Sequence, residues 1–435
     1  MKLQIVKTGI NGEGIGYDDN HKPVFVPGVL QDEVCDIEIT QRNKGYSFAR
    51  VNKVIKKSKR RVNSQCEYQF NCGSCPLMIT DYNNQLNIKY DLLKEALNKY
   101  AGYKGKIEKT VGCQEVLYYR NKVNLPIVEK NGKLYNAMYA ARSNNPIIIN
   151  ECCLHQKDVE ETRIRILDIL NKYHFKSYDN KQKKGLRQLI IRKIGEIQVL
   201  LIGGNDEIPQ EMINEILSIK DVVSFYYGVN TAKNPVNMVP DKISLVGGKK
   251  SITADFGGYK ICLQPQSFFQ LNTNQAEVLY QTVSNLIDEK VSLIVEAYCG
   301  VGTISMYLHD RADKVIGVEI IPSAVKDAKA NATSNKITNC QFVCGDAGQQ
   351  IAQIAKKQKI DIMVVDPPRS GLDETMIETI IHSKPQRVIY VSCNPATLAK
   401  NINDLKDKYS VMKVIPVDMF PQTEHIESVC LLQRN

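Results

Sequence analysis

A cysteine near the end of the chain stands where a nucleophile would be useful. Cys393 follows the apolar run RVIYVS and precedes Asn394-Pro395, a pattern typical of a strand that turns into a helix. The amino end of a helix is partly positive, so it favours the thiolate, the form of cysteine that attacks carbon. A buried cysteine is also a common core filler, and its position alone leaves both interpretations open.

Two carboxylates lie in comparable places. Glu427 stands in His425-Ile426-Glu427-Ser428, ahead of the last apolar strand, where it would be either a base or a surface residue. Asp366 ends the run IDIMVV and precedes two prolines. An Asp-Pro-Pro turn is typical of the place where a methyl donor meets its acceptor, although a rigid loop has the same composition. Enzymes that methylate exocyclic amines have an aromatic residue after the prolines, so Arg369 argues against that reaction.

Three further strand ends carry residues that suit a nucleoside cofactor. Gly300 and Gly302 follow the first strand and allow a ligand close to the backbone. Glu319 ends the second strand and can accept both ribose hydroxyls, and Asp346 ends the third, where it can read an adenine amino group. Ser305 replaces the third glycine of the dinucleotide fingerprint, which favours S-adenosylmethionine over a pyrophosphate cofactor. An NAD-dependent enzyme is the weaker alternative.

These groups together suit methylation of carbon 5 of uracil. Carbon 5 is a poor nucleophile until a thiolate adds to carbon 6, and a base must afterwards remove the carbon-5 proton. The cofactor pocket would then supply the methyl group, Cys393 would attack, and Glu427 would take the proton. The target base must leave its stack to be reached.

A second group of cysteines predicts a metal site. The chain has 13 cysteines, and Cys66, Cys72 and Cys75 are spaced C-x5-C-x2-C, with Cys152 or Cys153 as a possible fourth ligand. Four thiolates hold either zinc or an iron–sulfur cluster. The spacing favours the cluster, because the second C-x2-4-C pair usual in zinc sites is missing. It is not C-x3-C-x2-C, which disfavours a radical role.

The elements that must position these residues divide the chain into four segments. About five short β-rich runs separated by turn residues predict a small β-barrel over 1–57. The cysteine segment covers 58–93, and apolar residues at helical spacing predict an amphipathic helix over 84–100. A central α/β domain that mixes strands with helices over 157–172 and 209–218 covers 94–264. Short apolar strands alternate with helices over 265–435, which predicts an α/β domain with a parallel sheet. Ligands of such sheets bind at the carboxyl ends of the strands, where the residues described above stand.

Charge and targeting patterns point to a polyanion partner inside the cell. Residues 1–64 hold 12 Lys and Arg against 7 Asp and Glu, and a basic run closes the barrel. RNA contact is the favoured interpretation of that run, and a solubilising linker is the alternative: Lys53, Lys56, Lys57, Lys59, Arg60 and Arg61. No apolar run is long enough to cross a bilayer and no export signal is visible, so we expect a cytoplasmic protein without a membrane partner. No protein partner is implied.

Two motifs resemble those of a known family, and the resemblance to that family covers nearly the whole chain. SCNPATLA at 392–399 and HIES at 425–428 resemble the nucleophile and base motifs of the RumA/TrmA class of RNA uracil-5-methyltransferases, of enzyme class EC 2.1.1. The cysteine spacing resembles the 4Fe–4S site of the members that act on 23S ribosomal RNA, with Cys153 fitting the fourth position better than Cys152. The barrel resembles the OB-like TRAM module of these enzymes.

The resemblance implies a Rossmann-like class I methyltransferase domain behind a TRAM barrel and a central α+β domain that contacts RNA. It implies Cys393 as nucleophile and Glu427 as base, and a cluster that is structural or positions RNA. The implied contacts of S-adenosyl-L-methionine are Gln270, Tyr298, Gly300, Thr303, Glu319, Asp346 and Asp366. The implied ligands of the 4Fe–4S cluster are Cys66, Cys72, Cys75 and Cys153.

The chain departs from the family pattern at three positions. Glu296 stands where Asp is common, Ser74 where Gly is frequent, and Thr303 where some members carry Asn. None of these removes a catalytic group. A uridine in 23S ribosomal RNA is the expected substrate, a transfer RNA uridine is the first alternative, and an RNA-binding or assembly factor with an idle methyl-transfer site is the second.

Overall fold

The N-terminal strands form a small barrel. The computed structural model describes residues 1–141, 143–235, 238–240 and 242–435. Six strands, where the sequence predicted about five, form one sheet in the order β1-β5-β6-β4-β3-β2 around an apolar core that includes Ile5, Val24 and Ile37. The strands are β1 (Lys2–Gln4), β2 (Lys7–Thr8), β3 (Gly14–Tyr17), β4 (Pro23–Val26), β5 (Val34–Arg42) and β6 (Ser47–Lys56).

The basic run after the barrel has two kinds of member. The Arg61 guanidinium donates to the buried carboxylate of Glu33 at 2.6 and 2.7 Å and to the carbonyl of Gly28 at 2.9 Å. Arg61 therefore fastens the linker to the barrel, and it is not available to RNA as the sequence analysis expected. The five other basic side chains of the run are exposed.

A short helix and a long one follow, α1 (Gln69–Cys72) and α2 (Tyr82–Ala101). The long helix is the one predicted over 84–100. Asp81 caps it by accepting a hydrogen bond from the Asn84 amide at 3.0 Å, and it ends at Gly102 in the left-handed conformation. Leu93 and Leu97 are fully buried in the core of the C-terminal domain, so α2 joins the barrel side of the molecule to that domain.

The central domain is a seven-stranded sheet in the order β13-β12-β11-β10-β7-β8-β9, with two helices against it. Its strands are β7 (Lys122–Lys130), β8 (Lys133–Tyr139), β9 (Pro146–Ile148), β10 (Leu186–Ile194), β11 (Glu196–Gly203), β12 (Val222–Val229) and β13 (Ser244–Gly248), and its helices are α3 (Lys157–Lys172) and α4 (Gln210–Leu217). The sequence predicted both helices within two residues of these bounds. A hairpin of β14 (Ile252–Phe256) and β15 (Tyr259–Leu263) leads into the last domain.

The C-terminal domain has the predicted α/β architecture. Seven strands lie in the order β18-β17-β16-β19-β20-β22-β21, and the first five of that order are parallel. They are β16 (Val291–Ala297), β17 (Ala312–Glu319), β18 (Cys340–Cys344), β19 (Ile362–Val365), β20 (Arg387–Ser392), β21 (Tyr409–Val417) and β22 (Glu427–Arg434). The helices are α5 (Thr273–Ser284), α6 (Thr303–Tyr307), α7 (Pro322–Ser334), α8 (Ala347–Lys357), α9 (Glu374–Ser383) and α10 (Pro395–Leu405). Two apolar clusters cover the two faces of the sheet.

The five parallel strands of this sheet end at one edge, where Tyr298, Glu319, Asp346, Asp366 and Cys393 close or follow them. The strand order reverses at β16, because β17 lies on one side of it and β19 on the other. Ligands bind at such a switch point in open α/β sheets. No helix in the described part of the chain is both long and apolar enough to cross a membrane.

Candidate active site

The nucleophile candidate lies at the start of a helix. Cys393 follows β20 directly, and Asn394 caps α10 by accepting a hydrogen bond from the Ala396 amide at 3.1 Å. The Asn394 side-chain amide also donates to the carbonyl of Arg369 at 3.0 Å, which ties the cysteine turn to the Pro-Pro-Arg turn after β19. Two turns that are far apart in the chain therefore meet beside Cys393.

The base candidate lies beside the cysteine on the next strand. The ladder between β20 and β22 pairs Ser392 with Ser428, so Cys393 and Glu427 come next along the two antiparallel strands. Glu427 also pairs with Val417 of β21 on its other side. It is 4% exposed, which leaves its carboxyl group almost dry.

Burial dominates the protonation of this pair. Burial raises the pKa of the Cys393 thiol to about 11, and the nearby Glu427 and Asp366 carboxylates act in the same direction. The Arg369 guanidinium acts in the opposite direction. Burial and Asp366 raise the pKa of Glu427 well above its usual range. The prediction that the helix end yields a thiolate is therefore wrong for the protein without substrate, because a helix dipole contributes less than desolvation and two nearby carboxyl groups.

The same edge holds two further acids whose protonation is shifted. Burial raises the pKa of Asp366 to about 7. Burial raises the pKa of Glu296 to about 8, and the Ser305 hydroxyl donates to that carboxyl group. Perturbed acids gathered in one cleft are a mark of a functional site.

The turn after β16 is shaped for a ligand close to the backbone. Tyr298 has a φ of 63°, which is unusual for a residue with a side chain, and Gly302 has a φ of 80°. A Cβ on Gly302 would lie 2.8 Å from the ring of Phe342, so only glycine fits there. The Glu319 carboxylate accepts hydrogen bonds from the amides of Gly300 at 3.1 Å and Ile321 at 2.9 Å, which fixes it at the end of β17.

The remaining cofactor candidates lie at or near the starts of three helices. Asp346 is exposed and caps α8 by accepting from the Gln349 amide at 2.9 Å. Thr303 is buried at the start of α6, with its hydroxyl 3.5 Å from that of Tyr280. Gln270 is 6% exposed and precedes α5.

Sequence reasoning missed the residues that hold Gln270. The Asn121 amide group donates to the Gln270 carbonyl at 2.8 Å and to the Thr273 hydroxyl at 2.9 Å. Asn272 donates to the carbonyl of Met419 at 3.1 Å, and both asparagines are 1% exposed. No local pattern marks them, since their partners lie more than a hundred residues away.

A cleft of about 680 Å³ opens above Cys393. Its walls come from the barrel (7–11, with Ile15 and Phe25), from the carboxyl half of α2, and from the loops 393–396 and 424–426. The exposed Arg369 guanidinium lies at its floor, 3.3 Å from the His425 ring nitrogen. A cleft of this size, with a barrel on one side and the Cys393 sulfur below, can admit an extruded base with its neighbouring nucleotides.

The cysteine segment forms a pocket of its own. Cys66, Cys72, Cys75, Cys152 and Cys153 line one small cavity between the segment, the turn after β9 and the central domain. Burial and the neighbouring thiols raise the pKa of Cys75 and raise that of Cys153 to about 12. Within the described residues, no three His, Cys, Asp or Glu side chains are arranged to ligate a single metal ion.

The two candidates for a fourth ligand have different partners. Cys153 interacts with the Cys66 thiol. Burial disfavours the Cys152 thiolate, yet the hydrogen bond and charge of His155 lower the pKa of Cys152 overall. Cys152 thus contacts the His155–Glu160 network of the central domain, but its charge also acts on Cys66 and Cys75, so both candidates lie close to the other three sulfurs.

Comparison with known proteins identifies the family. Residues 257–435 match the model of tRNA (Uracil-5-)-methyltransferase, and residues 2–51 match the TRAM domain. An uncharacterized RNA methyltransferase of Clostridium tetani is 36% identical over 441 residues, covering 99% of this chain and 95% of its own. One of Bacillus cereus is 38% identical over 446 residues, covering 99% and 96%.

A solved structure has the same overall architecture. The Pyrococcus abyssi tRNA (uracil-54, C5)-methyltransferase in complex with S-adenosyl-L-homocysteine superposes with a TM-score of 0.77 at 25% identity, covering 99% of this chain and 100% of that one. The bound product of the methyl donor in that structure agrees with the cofactor that the sheet edge of this chain suits. This chain therefore belongs to the RumA/TrmA class of RNA (uracil-5-)-methyltransferases, which use S-adenosylmethionine and here carry an N-terminal TRAM domain.

Proposed function

We propose that this protein methylates carbon 5 of a uridine in 23S ribosomal RNA through a covalent bond between Cys393 and carbon 6. The observation that carries the proposal is that Cys393, which lines an open cleft, lies next to the buried Glu427 on the neighbouring strand. The two groups are the nucleophile and the base that the chemistry needs. Gln270, Tyr298, Gly300, Thr303, Glu319, Asp346 and Asp366 are the proposed cofactor contacts.

The proposed reaction has three stages: attack on carbon 6, methyl transfer to carbon 5, and removal of the carbon-5 proton. The Cys393 thiol gives its proton to solvent, the sulfur bonds to carbon 6, and the electrons of the 5,6 double bond move toward carbon 5 and the carbonyl at carbon 4. Carbon 5 then takes the methyl group as the bond between methyl and sulfonium sulfur breaks. Glu427 removes the carbon-5 proton, the double bond re-forms, and the thiolate leaves.

The raised pKa values suit a site that works only when it is filled. A half-buried thiol with a pKa of about 11 reacts only slowly with stray electrophiles at neutral pH. The cationic sulfonium of the cofactor and the nearby Arg369 would both favour the thiolate during attack. Glu427 must be ionised to remove the carbon-5 proton, and loss of the sulfonium charge after methyl transfer would make its carboxylate a stronger base.

A trapped complex tests the covalent step. RNA that carries 5-fluorouridine at the target cannot lose its carbon-5 substituent as a cation, so the enzyme should stay attached after methyl transfer. We expect a complex that survives denaturing electrophoresis and whose RNA-bearing peptide contains Cys393. A Cys393→Ser protein that forms the same complex would refute the assignment.

Ribosomal and transfer RNA must be compared directly. The cysteine spacing resembles that of the 23S-specific members of the class, whereas the Pyrococcus abyssi protein is named a tRNA (uracil-54, C5)-methyltransferase. Mass spectrometry of both RNA types from a strain that lacks the gene should show loss of 5-methyluridine in 23S ribosomal RNA alone. Loss confined to transfer RNA would favour the second candidate.

We also propose that Cys66, Cys72, Cys75 and Cys153 hold a 4Fe–4S cluster. Their sulfurs line one cavity, and a cluster uses one thiolate at each iron, so its ligands stand farther apart than those of a single ion. The positive irons would stabilise thiolates that otherwise repel one another. When bound, the cluster would cross-link the segment to the central domain. Protein purified without oxygen should be brown and contain iron; colourless protein with bound zinc would contradict this.

A further inference from the structure

We propose that α2 positions the base Glu427 through a buried clamp made of Gln85, Lys89, Asp418 and Gln422. This inference rests on the proposed role of Glu427. The clamp joins one face of α2 to the loop 418–426, which connects β21 to β22. None of its four members lines the cleft, so they act on the reaction only through the loop.

An ion pair forms the first half of the clamp. Lys89 and Asp418 are in direct contact, and both side chains are fully buried. The Lys89 ammonium also donates to the carbonyl of Phe420 at 2.9 Å, and the Tyr82 hydroxyl donates to the other oxygen of Asp418 at 2.9 Å. The Tyr82 oxygen in turn accepts from the amide of Cys113 at 2.6 Å. The carboxylate is therefore held from two sides.

A pair of glutamines forms the second half. The Gln85 amide group donates to the Gln422 side-chain oxygen at 2.9 Å, and its own oxygen accepts from the Gln422 backbone amide at 2.9 Å. Gln422 has a φ of 73°, a conformation that costs free energy for any residue with a side chain. Its carbonyl accepts from the Leu77 amide at 3.0 Å, in the cysteine segment. These contacts hold the strained residue in place.

The clamp reaches the base through strand pairing. Asp418 follows Val417, and Val417 is the partner of Glu427 in the ladder between β21 and β22. At the other end of the loop, the Thr423 hydroxyl accepts from the amide of His425, two residues before Glu427. A shift of the loop would therefore move Glu427 relative to Cys393, which is held on the other neighbouring strand.

The choice of residues indicates positioning and not stability alone. A buried ion pair costs much desolvation energy, and an apolar pair of similar volume is often at least as stable. What charged and amide partners add is a fixed direction, because each hydrogen bond permits one geometry. A general base that is misplaced by about 1 Å loses on the order of a hundredfold in rate.

The test separates the two chemical steps. We would prepare Lys89→Met, the double variant Lys89→Met/Asp418→Leu, and Lys290→Met as a matched control at the opposite edge of the sheet, where Lys290 forms an exposed pair with Asp313. The single variant leaves Asp418 buried and unpaired and should melt at a lower temperature, whereas the double variant removes both charges and should recover the melting temperature. Each protein is assayed with uridine RNA and with 5-fluorouridine RNA.

A positioning role predicts a specific failure in the double variant. Trapping by 5-fluorouridine RNA, which needs only attack and methyl transfer, should match the wild-type protein. Turnover on uridine RNA should fall about 10- to 100-fold, and a methylated covalent complex should accumulate because proton removal is slow. The Lys290→Met control should behave as wild type.

Two results would overturn the clamp. Wild-type turnover in the double variant, without an accumulated complex, would show that the loop positions Glu427 without the clamp. An equal loss of trapping and turnover would show a structural role only. A wild-type protein that never forms the fluorinated complex would instead refute the proposed mechanism, and the clamp's role with it.

Discussion

Buried carboxylates have opposite electrostatic surroundings, and opposite pKa shifts, in two regions of this molecule. In the central domain, Glu160 is 4% exposed and contacts both Arg163, at 2.8 Å, and His155. Although its burial acts in the other direction, these two partners lower the pKa of Glu160. In the methyltransferase domain, Glu427 is equally buried but has no ion pair among the described residues, and its pKa is raised well above the usual range.

This difference distinguishes buried acids that stabilise the fold from buried acids that we assign to the reaction. A buried acid that stabilises the fold forms an ion pair, as Glu33 of the barrel does with Arg61. In the part of the chain that the structure describes, Glu427, Asp366 and Glu296 lie together without an ion-pair partner, and the pKa of each is raised. Keeping these acids unpaired is unfavourable for stability, so we attribute it to the reaction at this edge of the sheet.

The largest effect should come from removing the nucleophile. Cys393→Ala should reduce methylation by about 10⁴-fold or more, because the proposed addition to carbon 6 needs its thiolate. Its thermal stability should stay near that of the wild type, measured by calorimetry. Cys35→Ala is the matched change in the barrel core and should keep full activity while losing about 1 kcal/mol of stability. Equal activity of the two variants would contradict the comparison.

The same substitution in the two regions should have opposite effects on stability. Glu160→Gln leaves Arg163 buried without its carboxylate, so the free energy of unfolding should fall by about 3–5 kcal/mol. Glu427→Gln removes an acid that burial disfavours, and it should leave stability unchanged or higher. Urea unfolding at neutral pH measures both. A comparable loss in the two variants would show that Glu427 is paired in solution.

The pH dependence of stability follows from the sign of the shift. The folded protein disfavours ionised Glu427, so the wild type loses stability as pH rises above the usual value of 4.5 toward the raised pKa. Glu427→Gln does not titrate, and its advantage should therefore be absent in acid and grow by at most about 1.4 kcal/mol per pH unit. Melting temperatures between pH 4 and 9 would show this. An advantage that shrinks with rising pH would contradict the shift.

The smallest effect concerns the free thiol. With a pKa of about 11, Cys393 is almost entirely protonated at neutral pH. Alkylation of the Cys393 peptide by iodoacetamide, followed by mass spectrometry without cofactor, should speed up about tenfold per pH unit between about pH 7 and 9. A rate that is already constant at pH 7 would mean that the helix end does stabilise the thiolate.

The sequence predicted the architecture of the site better than its electrostatics. Strand ends are visible as the points where apolar runs stop, and a parallel sheet brings those points to one edge, so Cys393, Asp366 and Glu319 were found together. The protonation of Cys393 was predicted wrongly, because the helix end is visible in the sequence while burial and the facing carboxyl groups are not.

Contacts between distant segments lay beyond sequence reasoning altogether. Lys89 and Asp418 are 329 residues apart, and neither belongs to a motif. An amphipathic helix was predicted for the segment around Lys89, but a lysine in such a helix is expected to face water. Only the packing of α2 against the C-terminal domain reveals it as buried.

The most direct test of the account is the fate of ordinary uridine RNA on Glu427→Gln protein with labelled S-adenosylmethionine. If Cys393 attacks and Glu427 removes the proton, the label should collect in a covalent complex of RNA with the Cys393 peptide, and little free 5-methyluridine should appear. Release of free 5-methyluridine at the wild-type rate, or label in RNA that was never attached to Cys393, would contradict it.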